Sequence, residues 1–476
     1  VHTPTKVSVK GKMSRYTGSM WLTDGRRSLL VEGERLARVE EGRRGRRFEA
    51  ITPGLQDAHA HPLYWGMALR GLDLSGLKDP EEVAMKAAER AKALPRGAWL
   101  EGQGFLFPKP PPPGLLDRAA PENPVFFRSR DYHSAWINRL AAERAGLTAE
   151  TEPPEGGAFL RGEDGVPYVL LERAQELVVP HLPPPSPEDL ERGLRDFARR
   201  GYTAVHAMGY EPPEALDWAL GLELPVRLWW ALPRGTWRGR APGWQGDLHL
   251  AGVKFFADGA LGSRTAWMHT PYPDGSTGMP LDSLEAILEE GEAALRAGFT
   301  LAVHAIGTRA VEGVLEVFHR LAPLAREKGL RLRMEHVQHV RDEALPRFSG
   351  LPLALSLQPL HLLEDQHLVR AFGLPAREAF RFRSLLATGL PLALGSDAPV
   401  APPQYALNLE AATRHPLTPE ESLSPEEVLL GHTLGAAQAA GWADYGRLQA
   451  GMRADLTLFE GGRPVGRVYR GNLELF

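Results

Sequence analysis

With sixteen histidines and no cysteine, imidazole is the soft ligand this chain can offer a metal, and disulfides, a cysteine nucleophile and thiolate sites are excluded. His59 and His61 stand two apart in TPGLQDAHAH, after Pro53 and Gly54. In extended backbone residues i and i+2 face the same side, so both imidazoles can address one cation. His304 in TLAVHAIGT and His336 in RLRMEHVQH each stand at the end of an apolar run. His206 in TAVHAMG shows the same pattern and admits a supporting, a substrate-facing or a plainly buried role. Asp397 in LPLALGSDAPV follows another apolar run, where a carboxylate is costly to bury without a metal, a donor or a proton. It reads as metal ligand and general base, or as the N-cap of a following helix.

Lys254, in AGVKFFADGALGS, stands inside an apolar run of a chain with only nine lysines against 46 arginines. An ammonium beside a divalent cation is strongly repelled, so here a lysine is neutral, displaced, or carboxylated to an anionic carbamate. Its ordinary alternative is a snorkelling or salt-bridged lysine with Asp258 as partner. The carbamate makes the set coherent: two Zn2+ against hydroxide, Asp397 and the carbamate leave a small positive charge for a developing oxyanion. Four imidazoles, a carboxylate and a modifiable lysine describe a two-metal hydrolytic site.

Those residues need a frame that brings them together. Short apolar runs bounded by turn signals predict eight buried strands: 51–59, 203–207, 225–230, 251–257, 300–305, 331–337, 352–358 and 391–395. Helical patterns such as 281–297, 309–328 and 376–388 separate them from the second onward, which predicts a (β/α)8 TIM barrel, with a doubly wound open sheet as rival. The candidate ligands then fall on strands one, four, five, six and eight at the C-terminal end, where barrels carry their chemistry. About 140 residues separate the first two strands, far beyond what a crossover needs, and they predict an insertion placed as a cap over that end. It holds a helix at 80–94, two proline-rich breaks and many aromatics, including Trp99, Phe105, Phe107, Phe126, Phe127, Tyr132 and Trp136; their ordinary role is its own core. Short β-like runs at 6–10, 15–22, 28–32 and 35–40 recur in texture over the last 32 residues. The expected division is 1–52 with 445–476, 53–62 with 190–444, and 63–189.

The 476 residues, 43% hydrophobic and 24% charged, are too long and too apolar for a disordered or fibrous chain. A net charge of −4 draws in neither nucleic acid nor an anionic membrane, and the one basic run, GRRGRR, reads as an exposed turn. No apolar stretch approaches the roughly 18 residues of a membrane helix, and VHTPTKVSVKGK has no apolar signal core, so a cytoplasmic protein is expected. Few lysines, many arginines and 41 prolines resemble a thermophile's composition.

The motifs TPGLQDAHAH, LLDRAAPENPVFFRSRDYHSAWIN, VKFFADGALGSRTA, AVHAIGTRAV, RMEHVQHV, SLQPLH, LALGSDAPV and GRLQAGMRADLTLF, in this order, resemble the amidohydrolase superfamily, most closely its amidohydrolase 3 branch, which includes N-substituted formamide deformylases. The resemblance implies a TIM barrel with both termini joined in a small β-sandwich. It implies that His59 and His61 bind the more buried zinc, that His304 and His336 hold a second, and that a carboxylated Lys254 bridges them, with Mn2+ or Fe2+ as alternatives. Asp397 would bind the first metal and take the proton of the bridging water. Asp131, His133 and Glu172 of the insertion, with Gln358 and His361 after strand seven, would sit near a small-molecule substrate, and family habit implies a homodimer. Three stretches depart from the family pattern: Asp131-Tyr132-His133 where glycine is usual in the middle, Thr308 where a carboxylate is usual, and Tyr168–Leu171 without the usual glycine. The expected activity is metal-dependent hydrolysis of a non-peptide C–N bond in amides or N-acyl and N-formyl amines. Esters, lactones or cyclic amides on the same site, or a non-catalytic ligand-binding barrel, are the alternatives.

Overall fold

The computed structural model describes residues 19–105, 107, 109–129, 134–154 and 157–476. They fall into two compact units, one built from the chain up to Pro62 and from Leu194 to Phe476, the other from Leu63 to Gly193.

The first unit is a barrel with flanking sheets. Its parallel strands are Leu55–Ala60, Tyr202–Met208, Arg227–Pro233, Leu248–Phe256, Thr300–Ala305, Leu332–His336, Leu353–Leu357 and Leu392–Leu394, paired in chain order. Almost every residue in them is buried, because helices cover one face and the barrel interior fills the other. The last strand meets the first through an isolated bridge between Ala60 and Ala398, the Asp397 amide donating to the His59 carbonyl at 2.7 Å and the His61 amide to the Ala398 carbonyl at 2.8 Å. Sequential order with this closure decides for the TIM barrel over the open sheet.

The eight expected strands each coincide with a barrel strand, with one refinement. The 51–59 run is two strands: Ala50–Pro53 pairs outward with Leu456–Glu460, and Leu55–Ala60 enters the barrel. Gly54 sits at the crossing, where an added Cβ would meet the Thr203 hydroxyl oxygen at 2.0 Å. Helices Leu284–Arg296 and Thr308–Glu327 match the expected spans, and the Ser283 hydroxyl caps the former by accepting from the Ala286 amide. The expected 376–388 helix is instead a 3-10 turn at Ala376–Glu378 and a short helix at Phe382–Leu386. Phe380, with φ 52° between them, cannot continue a right-handed helix.

Two four-stranded sheets from the chain's two ends face one another across Leu22, Leu29, Leu36, Ile51, Leu456 and Val468. The 6–10 run lies outside the described residues, and the 15–22 run is described only as the strand Met20–Thr23. Buried Arg227, first residue of the third barrel strand, ties sheets to barrel through Asp455 at 2.7 Å, Glu34 at 3.0 Å and Asp247.

The second unit is a six-stranded mixed sheet with helices Pro80–Lys92, Leu115–Ala119 and Arg139–Arg144. Phe105, Phe127 and Trp136 join one of its cores with Phe107 packed against it, and Phe126 joins another with Trp99 packed against it. These aromatics are therefore the insertion's own interior. Among the described residues no helix is long and apolar enough to cross a membrane.

Candidate metal centre

Three side chains from three barrel strands converge. His59 is the penultimate residue of the first strand, His336 ends the sixth, and Asp397 follows the eighth. One ligand atom from each lies within 4.8 Å of the others. His59 Nε2 is 3.5 Å and His61 Nε2 3.2 Å from Asp397 Oδ1, so both imidazoles of the 59–61 pair point at one carboxylate oxygen, as their i, i+2 spacing requires. His336 and Asp397 both have left-handed backbone, φ 74° and 60°. Such conformations are uncommon without glycine and are held here by surrounding bonds. The Asp397 amide is anchored on the His59 carbonyl, and its carbonyl accepts from the Val400 amide at 2.8 Å. That backbone places Asp397 as a turn residue whose side chain faces the histidines, not as a helix cap.

His304 lies edge-on to His336, ring centroids 4.4 Å apart, and its Nε2 donates to the Gly259 carbonyl at 3.0 Å. A carbonyl can only accept, so Nε2 carries the proton and Nδ1 keeps its lone pair. Lys254 is fully buried on the fourth strand, its ammonium 5.1 Å from the Phe256 ring centroid, and it joins no ion pair among the described residues. Asp258, its suggested partner, instead accepts from the amides of Ile306, Gly307 and Trp267 at 3.0, 2.7 and 2.8 Å.

The electrostatics suit a cation. Burial, aided by the Lys254 charge, pushes His59 down to about 4 and His304 down to about 3; burial and neighbouring imidazoles hold His336 well below the usual range. These rings are neutral donors. Burial opposes ionisation of Asp397, but the surrounding imidazoles outweigh it and keep the carboxyl far below its ordinary value. Burial likewise opposes charge on His61, yet the Asp397 and Glu211 carboxylates carry it up to about 9. Lys254 is lowered to about 8 by burial. A divalent cation would take the place of the His61 proton. The fit also shows in buried His336 Nδ1, which has no hydrogen-bond partner among the described residues, a state that costs about 1–3 kcal/mol unless a ligand fills it.

The other expected site residues divide by position. Gln358 and His361 are buried after the seventh strand. His361 Nε2 lies 3.6 Å from Asp397 Oδ2, its ring stacks 6.0 Å from His336, and Gln358 Oε1 has no hydrogen-bond partner among the described residues. His206 lies deeper in the barrel and its Nδ1 accepts from the Arg333 guanidinium at 3.0 Å; burial and that guanidinium keep it neutral. Glu172 ends a strand of the insertion, Pro167–Glu172, and Asp131 and His133 lie outside the described residues.

Sequence reading passed over three carboxylates. Glu335 Oε2 accepts from His59 Nδ1 at 2.8 Å, and its other oxygen accepts from Arg333 at 2.9 Å. Arg333, Glu335 and His336 were legible as RMEH, but strand alternation puts neighbours on opposite faces. The left-handed turn at His336 brings Glu335 and His336 to the same pocket. Glu211, buried after the second strand, lies 3.8 Å from His61 Nδ1. Asp57 shares the face of His59 and His61 at i, i+2, i+4, a spacing that was open to reading.

The chain matches the Amidohydrolase family over residues 49–468. It is 30% identical over 454 residues to the protein LONG AFTER FAR-RED 3 of Arabidopsis thaliana, covering 86% of this chain and 77% of that one. It is 25% identical over 469 residues to an N-substituted formamide deformylase of Arthrobacter pascens, covering 87% and 83%. A crystal structure of an uncharacterized metal-dependent hydrolase from Pyrococcus furiosus superposes with a TM-score of 0.75 at 26% identity, covering 91% of this chain and 94% of that one. The match runs from the strand entering the barrel to the closing sheet, and the convergent ligands lie where such a barrel does its chemistry: this chain belongs to the amidohydrolase family, as a metal-binding, amidohydrolase-type enzyme.

Proposed function

We propose that the protein hydrolyses non-peptide C–N bonds, in amides and N-acyl or N-formyl amines, using two Zn2+ ions bridged by a carbamate on Lys254. The convergence of His59, His336 and Asp397 at the mouth of an amidohydrolase barrel carries this reading. Bound cations polarise the scissile carbonyl and acidify the attacking water. His59, His61 and Asp397 would hold the more buried ion, and His304 and His336 the second, with Mn2+ or Fe2+ able to replace zinc. Lys254 supports the bridging role: it is buried, it joins no carboxylate in an ion pair among the described residues, and burial lowers its amine to about 8, nearer neutral pH than an ordinary lysine.

Asp397 would take the proton of the attacking water and return it to the leaving nitrogen, its side chain fixed by the anchored turn. His361 and Gln358 offer buried polar atoms to the substrate beside it, and the family resemblance adds Asp131, His133 and Glu172 as further substrate contacts. Tyr210 is 62% exposed, 5.8 Å from the His61 ring and 6.1 Å from Phe256, which supports an apolar or aromatic group on the substrate. Likeness to a formamide deformylase supports the N-formyl branch.

The test is elemental analysis of protein purified without added metal, followed by a screen of amides and N-formyl amines for released amine. Two zinc-like ions per chain with turnover of apolar N-acyl or N-formyl amines is the expected result. Protein that stays metal-free after reconstitution with zinc and bicarbonate, or metal-loaded protein inert towards every amide, would overturn the reading.

A further inference from the structure

Each imidazole of the 59–61 pair has a buried carboxylate on the side away from Asp397. His59 has Glu335 Oε2 at 2.8 Å from Nδ1 and Asp397 Oδ1 at 3.5 Å from Nε2. His61 has Glu211 Oε2 at 3.8 Å from Nδ1, within ion-pair reach but beyond a hydrogen bond, and the same Asp397 oxygen at 3.2 Å from Nε2. The two carboxylates come from different places, the sixth strand and the loop after the second, yet each faces the Nδ1 of its imidazole, Glu335 through a hydrogen bond and Glu211 through its charge. A carboxylate facing Nδ1 favours the proton on that nitrogen, which leaves the lone pair on Nε2.

We propose that Glu335 and Glu211 are the positioning residues of the metal centre, Glu335 by a hydrogen bond and Glu211 by its charge each favouring the proton on Nδ1 of one imidazole of the 59–61 pair, so that Nε2 is left to the cation beside Asp397. Their surroundings differ. Glu335 is bonded to Arg333, which also donates to the Ala58 carbonyl at 2.7 Å and to His206 Nδ1 at 3.0 Å and lies over the Trp229 ring at 4.5 Å. His206, Arg333, Glu335 and His59 thus form one buried chain ending on a ligand, which gives His206 a supporting part. Glu211 has no arginine or lysine within ion-pair distance among the described residues, and its Oε1 is buried without a hydrogen-bond partner. Its other oxygen accepts from the Tyr210 amide at 3.2 Å and faces His61. Glu335 therefore orients a ligand at fixed charge, whereas Glu211 orients a ligand and adds negative charge towards the cation.

The inference rests on the metal centre described above. Its test measures the zinc dissociation constant of the full chain by competition with a chromogenic chelator, the melting temperature of the metal-free protein, and the visible d–d spectrum after cobalt loading. E335Q and E211Q should each weaken zinc binding by about 10–100-fold and alter the cobalt spectrum, with metal-free melting unchanged for E211Q. Should E335Q not fold with Arg333 left unbalanced, R333Q/E335Q, which removes both charges, carries the same measurement. Zinc affinity within about threefold of wild type and an unaltered cobalt spectrum in the folded variants would overturn the proposal. Wild-type protein unable to bind zinc or cobalt would overturn it together with the metal-dependent reading.

Discussion

Asp57 Oδ1 lies 3.0 Å from the Ser396 amide nitrogen and accepts its hydrogen bond across the seam between the first and last barrel strands. The same oxygen accepts from the His59 amide at 3.2 Å. Only an isolated bridge joins these two strands among the described residues, and the Asp57 carboxylate adds a side-chain tie to the two backbone hydrogen bonds between the strand that carries His59 and the turn that carries Asp397. His59 and Asp397 of the metal centre meet across the seam joined by a bridge alone, and a side chain adds to its backbone pairing.

Burial pushes Asp57 up to about 7, against the Ser396 and His59 donors that pull it down. Its folded-state pKa is above the unfolded value near 3.9, so the folded protein binds this proton more tightly. The resulting stabilisation is complete below about pH 4 and is lost as pH rises to about 7. D57N keeps an acceptor but cannot titrate. The stability of metal-free wild type relative to D57N should therefore fall by more than about 1 kcal/mol between these pH values, read from urea midpoints at each pH; a flat difference would contradict the assignment.

Gly395 faces the same seam. A Cβ there would come within 2.5 Å of the His59 amide nitrogen and 2.8 Å of Asp57 Oδ1, and neither can move without opening the strand pair. G395A should cost about 1–3 kcal/mol or more and lower zinc occupancy along with stability. G350A, at a positive φ with open space around it, should cost only about 1 kcal/mol and leave zinc binding intact. Denaturant melts and metal analysis of the two proteins decide the point.

D397N removes both a ligand charge and the proposed proton acceptor. The kcat should fall by about 10²–10⁴-fold, with reduced zinc content, in a protein that still folds. Retention of kcat with full metal would show that another group takes the proton.

Removing the proposed carbamate has a different signature. K254A should drop metal content below that of wild type and lose most activity, and added short-chain carboxylates should restore part of both by occupying the position of the modified side chain. Metal content and rate measured with and without acetate or propionate test this. K254A with wild-type metal content would remove the bridge from the mechanism.

The amino-acid sequence by itself determined the eight-strand rhythm, the shared face of His59 and His61, and the strand ends bearing His304, His336 and Asp397. Each depends on local periodicity: two residues per repeat along a strand, and apolar runs that have nowhere to go but a barrel wall. The tertiary structure alone decided how the barrel closes and which side chains support the ligands. Glu335 and His336 are neighbours that alternation would send to opposite faces, and only the left-handed backbone at His336, held by the packed loops around it, brings both to one pocket. Glu211 and His61 are 150 residues apart in the chain, and Asp57 and Ser396 are 339 apart. No local pattern relates such pairs. Their meeting follows from strands closing on themselves, which brings the first strand against the last and turns charges that read as costly burials into partners.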